Sequence, residues 1–460
     1  MIQLLIIALY FVIVIVIGLF SRRKRWSADD FFVSGRRYTT FFITGSLLAT
    51  MIGGSATVGL AGLGYSRGLT GAWWLLVGSI GLTALGIFFA GKIRERGLYT
   101  LPELAEKQYG KTVALAVSIL VVISWLGVIA GQIIAAGKIL STLGMGSPEL
   151  WMAGFTFTFL VYLVIGGQDA VIRTDMIQIG IIIIGVLVGL GALVWQTGGP
   201  GYLLNALTPD KFNFPLSSSF NALDLASYVF LIGSTYAVGP DIYSRLFCAR
   251  DESTARKSAI WSAVLIIPVA FAITLLGMYA SALFPNISPE QALPAIIKDV
   301  FHPLLSGVIL AAMVAAILPS ATMMSASTIL TVDIVGKLIK DRPEKRMLAL
   351  ARINTVIIGA ASLALALILS GVINALLFAY TIYTCGVIVP IGLGFYKAKL
   401  KVTATGAMAS IVGGGLAGLA SKVWGIKYMD LAALGISLVL LFAVSYIQNR
   451  YKAGRAQHKA

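Results

Sequence analysis

The chain has 460 residues, 58% hydrophobic and only 12% charged, with a formal net charge of +16. A soluble globular protein is about a quarter charged. A chain this apolar cannot hide its surface in a water-soluble core, so the composition points to an all-α polytopic membrane protein.

Apolar runs of about 20 residues, long enough to cross a bilayer, recur at 2–20, 41–64, 71–90, 112–140, 150–168, 174–196, 223–247, 257–284, 303–336, 347–369, 373–395, 403–423 and 428–447. The expectation is therefore about 13 transmembrane helices. Arg22, Arg23, Lys24 and Arg25 follow the first run instead of preceding it, as in a spanning helix with a cytoplasmic flank and unlike a cleaved signal peptide. The second run contains LLATMIGGSATVG (47–59), with Gly53 and Gly54 in mid-run and Ser55 and Thr57 just after. Trp73 and Trp74 open the third run at its outer boundary, where belt anchors sit. In the fourth, Trp125 and Gln132 are seven apart and share a face. Asp175 begins the sixth, and an acid inside a span is a functional hypothesis by default. Pairing with Arg173 or capping the helix start is the structural alternative. The seventh run holds Gly233-Ser234-Thr235-Tyr236 and then Gly239-Pro240. Tyr380, Tyr383 and Thr384 share a face of the eleventh.

When the sides alternate from run to run, most of the 35 Lys and Arg fall on the side of Arg22–Arg25. That is the positive-inside bias. It places the N-terminus outside and the C-terminus in the cytoplasm, and it accounts for the basic charge without nucleic acid. Cys248 and Cys385, His302 and His458 fit no metal or redox pattern, and no cofactor is expected.

Glycine weakens a helix by about 1 kcal/mol relative to alanine, and proline kinks it. Unwound backbone at membrane depth is tolerated where it lines a cavity or is buried in protein. With the first run peripheral, the next ten divide into two five-helix halves, each opening on a broken helix. Five is odd, so the halves are inverted, the pattern of secondary transporters with a site at the repeat interface. The units are then 1–40 (first helix and loop), 41–196 (first repeat), 197–222 (extracellular loop), 223–395 (second repeat) and 396–460 (two peripheral helices and a short tail). Helix packing by small residues is the competing account of the glycines.

Five stretches carry a family resemblance: Asp30-Phe31-Phe32-Val33-Ser34-Gly35-Arg36; Ala49 to Gly54 followed by GLAGLGY (59–65); YTLPELAEKQYG (99–110); GGQDAVIRTDMIQ (166–178); and GPDIYSRLFCARDESTARK (239–257). Over roughly residues 1–400 the chain resembles the sodium/solute symporters, which couple sodium entry to solute uptake. The resemblance implies a sodium site between the first broken helix and 303–336. Carried over, it falls on the carbonyls of Ala49 and Ile52, on Ala316, and on Ser320, with Thr322 as a substitute hydroxyl. Pro319 stands where the family has another hydroxyl, its ring offering the carbonyl of Ala315 instead. The matching aspartate, Asp175, lies on the cation pathway. Met51 stands where some members carry an aspartate. Tyr236 matches a substrate contact, and Ile232 replaces a tryptophan contact. Gly54, Ser55, Thr57, Gln132, Thr235 and Tyr236 are the substrate-side candidates.

The function implied is cation-coupled symport, with Na+ as coupling ion, of a small polar organic solute by alternating access in the cell membrane. Proton-coupled or uncoupled transport is the alternative that Pro319 motivates. A transporter-like sensor is disfavoured by the few residues after the last run. No nucleophile–base constellation supports an enzyme.

Overall fold

The computed structural model describes residues 2–21, 27–53, 55–143, 146–318, 320–339, 343–369 and 371–457. Arg22–Arg25, Gly54, Pro319 and His458 lie outside the described residues, as does the Ser55 side chain. In hydrocarbon a segment must satisfy its own N–H and C=O groups, and a helix does so locally. The described residues are accordingly helical, with isolated bridges at Tyr38–Ala249 and Ser217–Phe220 as their only β pairing.

Among the described residues, ten helical stretches are long and apolar enough to span, with Ile2–Gly18 and Thr40–Met51 as shorter apolar helices. The expected thirteen do not map onto these one to one. Ala56–Glu95 and Pro148–Gln196 each cover ground assigned to two runs. The 49 residues of Pro148–Gln196 would extend roughly 70 Å at 1.5 Å per residue, far beyond a ~30 Å hydrocarbon core. The chain turns at Gly167 (φ 54°, ψ −152°), where a Cβ would meet Phe31 Cδ2 at 2.8 Å.

Among the described residues, three further apolar helices are interrupted. Thr40–Met51 ends where Ile52 leaves helical geometry (ψ 60°), and helix resumes over Ser55–Gly59 and Leu60–Arg67. Pro303–Ile317 ends at Leu318 (ψ 117°) and restarts at Ser320. The second break differs from expectation. Gly233–Tyr236 stays helical, and the chain opens at Val238 (φ −136°, ψ 65°) and Gly239 (φ −115°, ψ 131°) before Pro240–Phe247. Gly233 serves a close crossing instead: a Cβ on the facing Gly81 would stand 1.9 Å from the Gly233 carbonyl, the small-residue packing of membrane helices. Gly239 is a glycine of close approach at the bend, since a Cβ there would fall 2.3 Å from the Thr235 carbonyl.

Glu252–Leu283 packs along Thr40–Met51, Leu60–Arg67 and Trp73–Ala84, tying the two halves together. At the basic end the loops bordering the broken helices are pinned. Tyr38 N–H donates to the Cys248 carbonyl at 3.1 Å, and Arg250 N–H donates to that of Tyr38 at 3.0 Å. Arg94 Nε adds a bond to the Ala249 carbonyl at 2.5 Å. Ala404–Trp424 and Met429–Gln457 pack mainly on each other and flank the rest.

Candidate functional site

The breaks converge on one cavity. Thr50, Met51 and Gly53 come from the first broken helix, and Thr235, Tyr236 and Asp241 from the second. Lys111–Leu140 adds Trp125 and Gln132, while Thr322 and Tyr380 complete the wall. The space open to the centre of a water-sized sphere is about 20 Å³, near the minimum for one water. Trp125 is fixed edge-on against Tyr383, with ring centres 4.8 Å apart. Its Nε1–H and the Oε1 of Gln132 are buried with no hydrogen-bond partner among the described residues. Buried polar groups are nearly always paired, so a donor and an acceptor stand ready for a polar occupant.

Among the described residues, Asp241 is the one acidic or basic residue on this wall. It sits in the first turn of Pro240–Phe247 and accepts the N–H of Ile242 at 3.0 Å, where the helix dipole favours a carboxylate. This half-helix N-terminus is thus already occupied by an acid of the chain itself, which opposes a second carboxylate from a ligand.

On the other side of the cavity, the carbonyls of Ala49 and Ile52 accept no bond from a described backbone N–H. A Cβ on Gly53 would lie 3.2 Å from Gln132 Nε2 and 4.0 Å from the Ala316 carbonyl. The first break and the interrupted end of Pro303–Ile317 therefore face each other. Ser320 and Thr322 part company: Thr322 turns to the cavity, whereas Ser320 sits beside Tyr162 and Asp175. The carbonyl of Ala315 accepts the N–H of Leu318 at 3.4 Å, which leaves its second lone pair available. Thr57 is buried off the cavity wall, donating to the Gly53 carbonyl at 3.4 Å. Thr235 lines the cavity while donating to the Ile232 carbonyl at 2.7 Å.

Asp175 has neither of its expected structural partners. It lies deep within Pro148–Gln196, not at a helix start, and Arg173 pairs with Asp169 at 2.9 Å. Asp175 instead accepts the Ser46 hydroxyl and faces Arg245 Nη2 at 3.3 Å. Both charges are buried, Arg245 completely. The pair joins the first broken helix, Pro148–Gln196 and the second half of the second broken helix through side chains alone.

Thr50, Asp241 and Arg245 are the residues that sequence reasoning missed. Asp241 and Arg245 lie in GPDIYSRLFCARDESTARK (239–257), a stretch that carries the family resemblance without an assigned site role. Their position inside the apolar run 223–247 was the available signal, since ionisable residues within spans mark function.

The profile of the sodium:solute symporter family matches residues 31–414. The chain belongs to the sodium:solute symporter family. The sodium/glucose cotransporter of Vibrio parahaemolyticus is 26% identical over 89% of this chain and 84% of its own. Sodium/glucose cotransporter 1 of Sus scrofa is 25% identical over 92% of this chain and 72% of its own. The chain spans only 62% of the length of a mouse relative, solute carrier family 5 member 4B, at 25% identity over 78% of this chain. Among solved structures, a Na+-coupled sialic acid symporter in a substrate-bound outward-open state superposes with a TM-score of 0.82 at 18% identity, over 97% of this chain and 98% of that one. A nucleobase-cation-symport-1 transporter follows at 0.60 and 12% identity, covering 92% and 95%. The likeness to both is one of fold. Family and fold make the chain a multi-pass membrane transporter and not an enzyme.

Proposed function

We propose that the protein is a Na+-coupled symporter of a small polar solute that is not an anion, with a sugar-like polyol the first class to test. The observation that carries the solute class is the cavity wall: unpaired donors and acceptors on Trp125 and Gln132, with Asp241 already holding the half-helix N-terminus. The sodium/glucose cotransporters among the relatives support the same class. Na+ is a hard ion that takes oxygen ligands, as other hard cations do. The unclaimed carbonyls of Ala49 and Ile52 opposite Ala316 are the cradle, with Thr322 the nearest hydroxyl on the cavity and Ser320 on the path toward Asp175. In this reading the two repeats rock about the breaks, the basic end is cytoplasmic, and the N-terminus lies outside.

The test is thermal unfolding of the purified chain titrated with Na+ against choline at fixed ionic strength and several pH values. A ligand at 100 times its Kd stabilises by about 2.7 kcal/mol. Saturable Na+ stabilisation that Thr322→Ala or Ser320→Ala weakens supports the reading, and labelled hexose should then accumulate in proteoliposomes only under an inward Na+ gradient. Stability that ignores Na+ and follows pH would replace sodium with proton coupling.

A further inference from the structure

A second cavity, of about 550 Å³, opens on the flank of the bundle between the second broken helix and the peripheral helix Met429–Gln457. Sites for small organic molecules span ~300–1,000 Å³. Its walls are apolar, with Phe230, Leu434 and Leu438 prominent among them. Phe230 and Leu438 are 54% and 43% exposed, facing what would be hydrocarbon. Two glycines keep it open: a Cβ on Gly392 would meet only Val238 Cγ2 at 3.8 Å, and one on Gly435 would meet nothing within 4 Å.

The basic end of this groove carries charge. Tyr396, part of its wall, lies 4.7 Å under Lys92 Nζ. Phe89, also of the wall, packs on Phe395 with ring centres 4.9 Å apart, and the guanidinium of Arg96 lies 5.3 Å over Phe395. Neither Lys92 nor Arg96 forms an ion pair within 4.0 Å among the described residues. An apolar slot at bilayer depth, mouthed by two uncompensated cations on aromatic faces, is complementary to one kind of molecule.

We propose that this groove binds an anionic phospholipid, one acyl chain lying along Phe230 and Leu438 and the headgroup held by Lys92 and Arg96. Basic residues at a membrane surface attract acidic headgroups. An acyl chain here bears on Val238, where the second helix opens, so lipid occupancy acts on the break directly. The inference does not depend on which ion or solute the chain moves.

The test uses the full chain in nanodiscs of phosphatidylglycerol and phosphatidylcholine, with native mass spectrometry counting the lipid each preparation retains. Phosphatidylglycerol should be retained in preference. Lys92→Gln and Arg96→Gln should each reduce that preference about fivefold, and Gly435→Trp, which fills the slot, should abolish retention. A phosphatidylglycerol bearing a photoreactive group on its acyl chain tests the unmodified protein and should label the peptides of Phe230 and Leu438. Equal retention of the two lipids, unchanged retention in Gly435→Trp, or label confined to other surfaces would overturn the proposal. So would efficient disulfide dimers through Leu438→Cys, which would assign the groove to a second copy.

Discussion

At the first break the backbone leaves helix at Ile52 with the carbonyls of Ala49 and Ile52 unclaimed by the described backbone. At the second the released carbonyls are taken: Tyr383 donates its hydroxyl to Val238, and Tyr243 donates to Ala237 at 3.1 Å. The first break carries no ionisable side chain, whereas the second is followed at once by Asp241 and, one turn on, by Arg245. Opening a helix at membrane depth thus has two outcomes. On the function proposed above, the first kind would hold a bare cation, and the second, its carbonyls satisfied by tyrosines, would present side chains to a solute. Both halves are tied by the Asp175–Arg245 pair, which reaches the first break through Ser46.

The largest expected effect comes from breaking that tie. Arg245→Met leaves Asp175 charged and unpaired in the interior, a loss of about 3–5 kcal/mol, read as a lowered unfolding temperature. Adding Asp175→Asn should restore most of it, because no lone charge then remains. An unchanged melting temperature in Arg245→Met would mean that the breaks are not tied through this pair.

Next come the glycines. Gly239→Ala drives a Cβ into the Thr235 carbonyl, an overpacking cost of about 1–3 kcal/mol, and should lower stability and transport together. Gly53→Ala meets a movable Gln132 side chain and should cost less stability while weakening the response to Na+. If the two variants behave alike, the division of labour between the breaks fails.

Tyr383→Phe strips the Val238 carbonyl of its donor, an unsatisfied buried acceptor worth about 1–3 kcal/mol. It should loosen the second break, seen as faster amide exchange over 234–242, and leave the first unaffected. The smallest effect lies outside the bilayer. Burial raises the carboxyl pKa of Glu103, which accepts the N–H of Tyr99 at 2.7 Å. The unfolded chain therefore ionises first as pH rises. Stability should fall above the ordinary glutamate range relative to Glu103→Gln and match it below. Parallel pH curves would refute this.

Composition, run length and the glycine and proline placements were enough to anticipate a polytopic helical transporter with paired broken helices. These are properties of a chain in hydrocarbon, where every segment must satisfy its own backbone and each interruption needs a reason. Gln132 and Thr235 stand out as polar groups on apolar runs, Tyr236 and Thr322 rest on the family resemblance, and the four share one cavity. What residue order could not settle was where each partner lies across the bundle. Gly233 and Gly239 look alike in sequence, yet one permits a crossing against Gly81 and the other a bend against Thr235. Arg245 looked like a topological charge until folding set it against Asp175, 70 positions away in the chain, and closed it off from water. Local rules act within a few residues of a helix, whereas charge pairing and close approach depend on which helices touch, and the tertiary packing alone decides that.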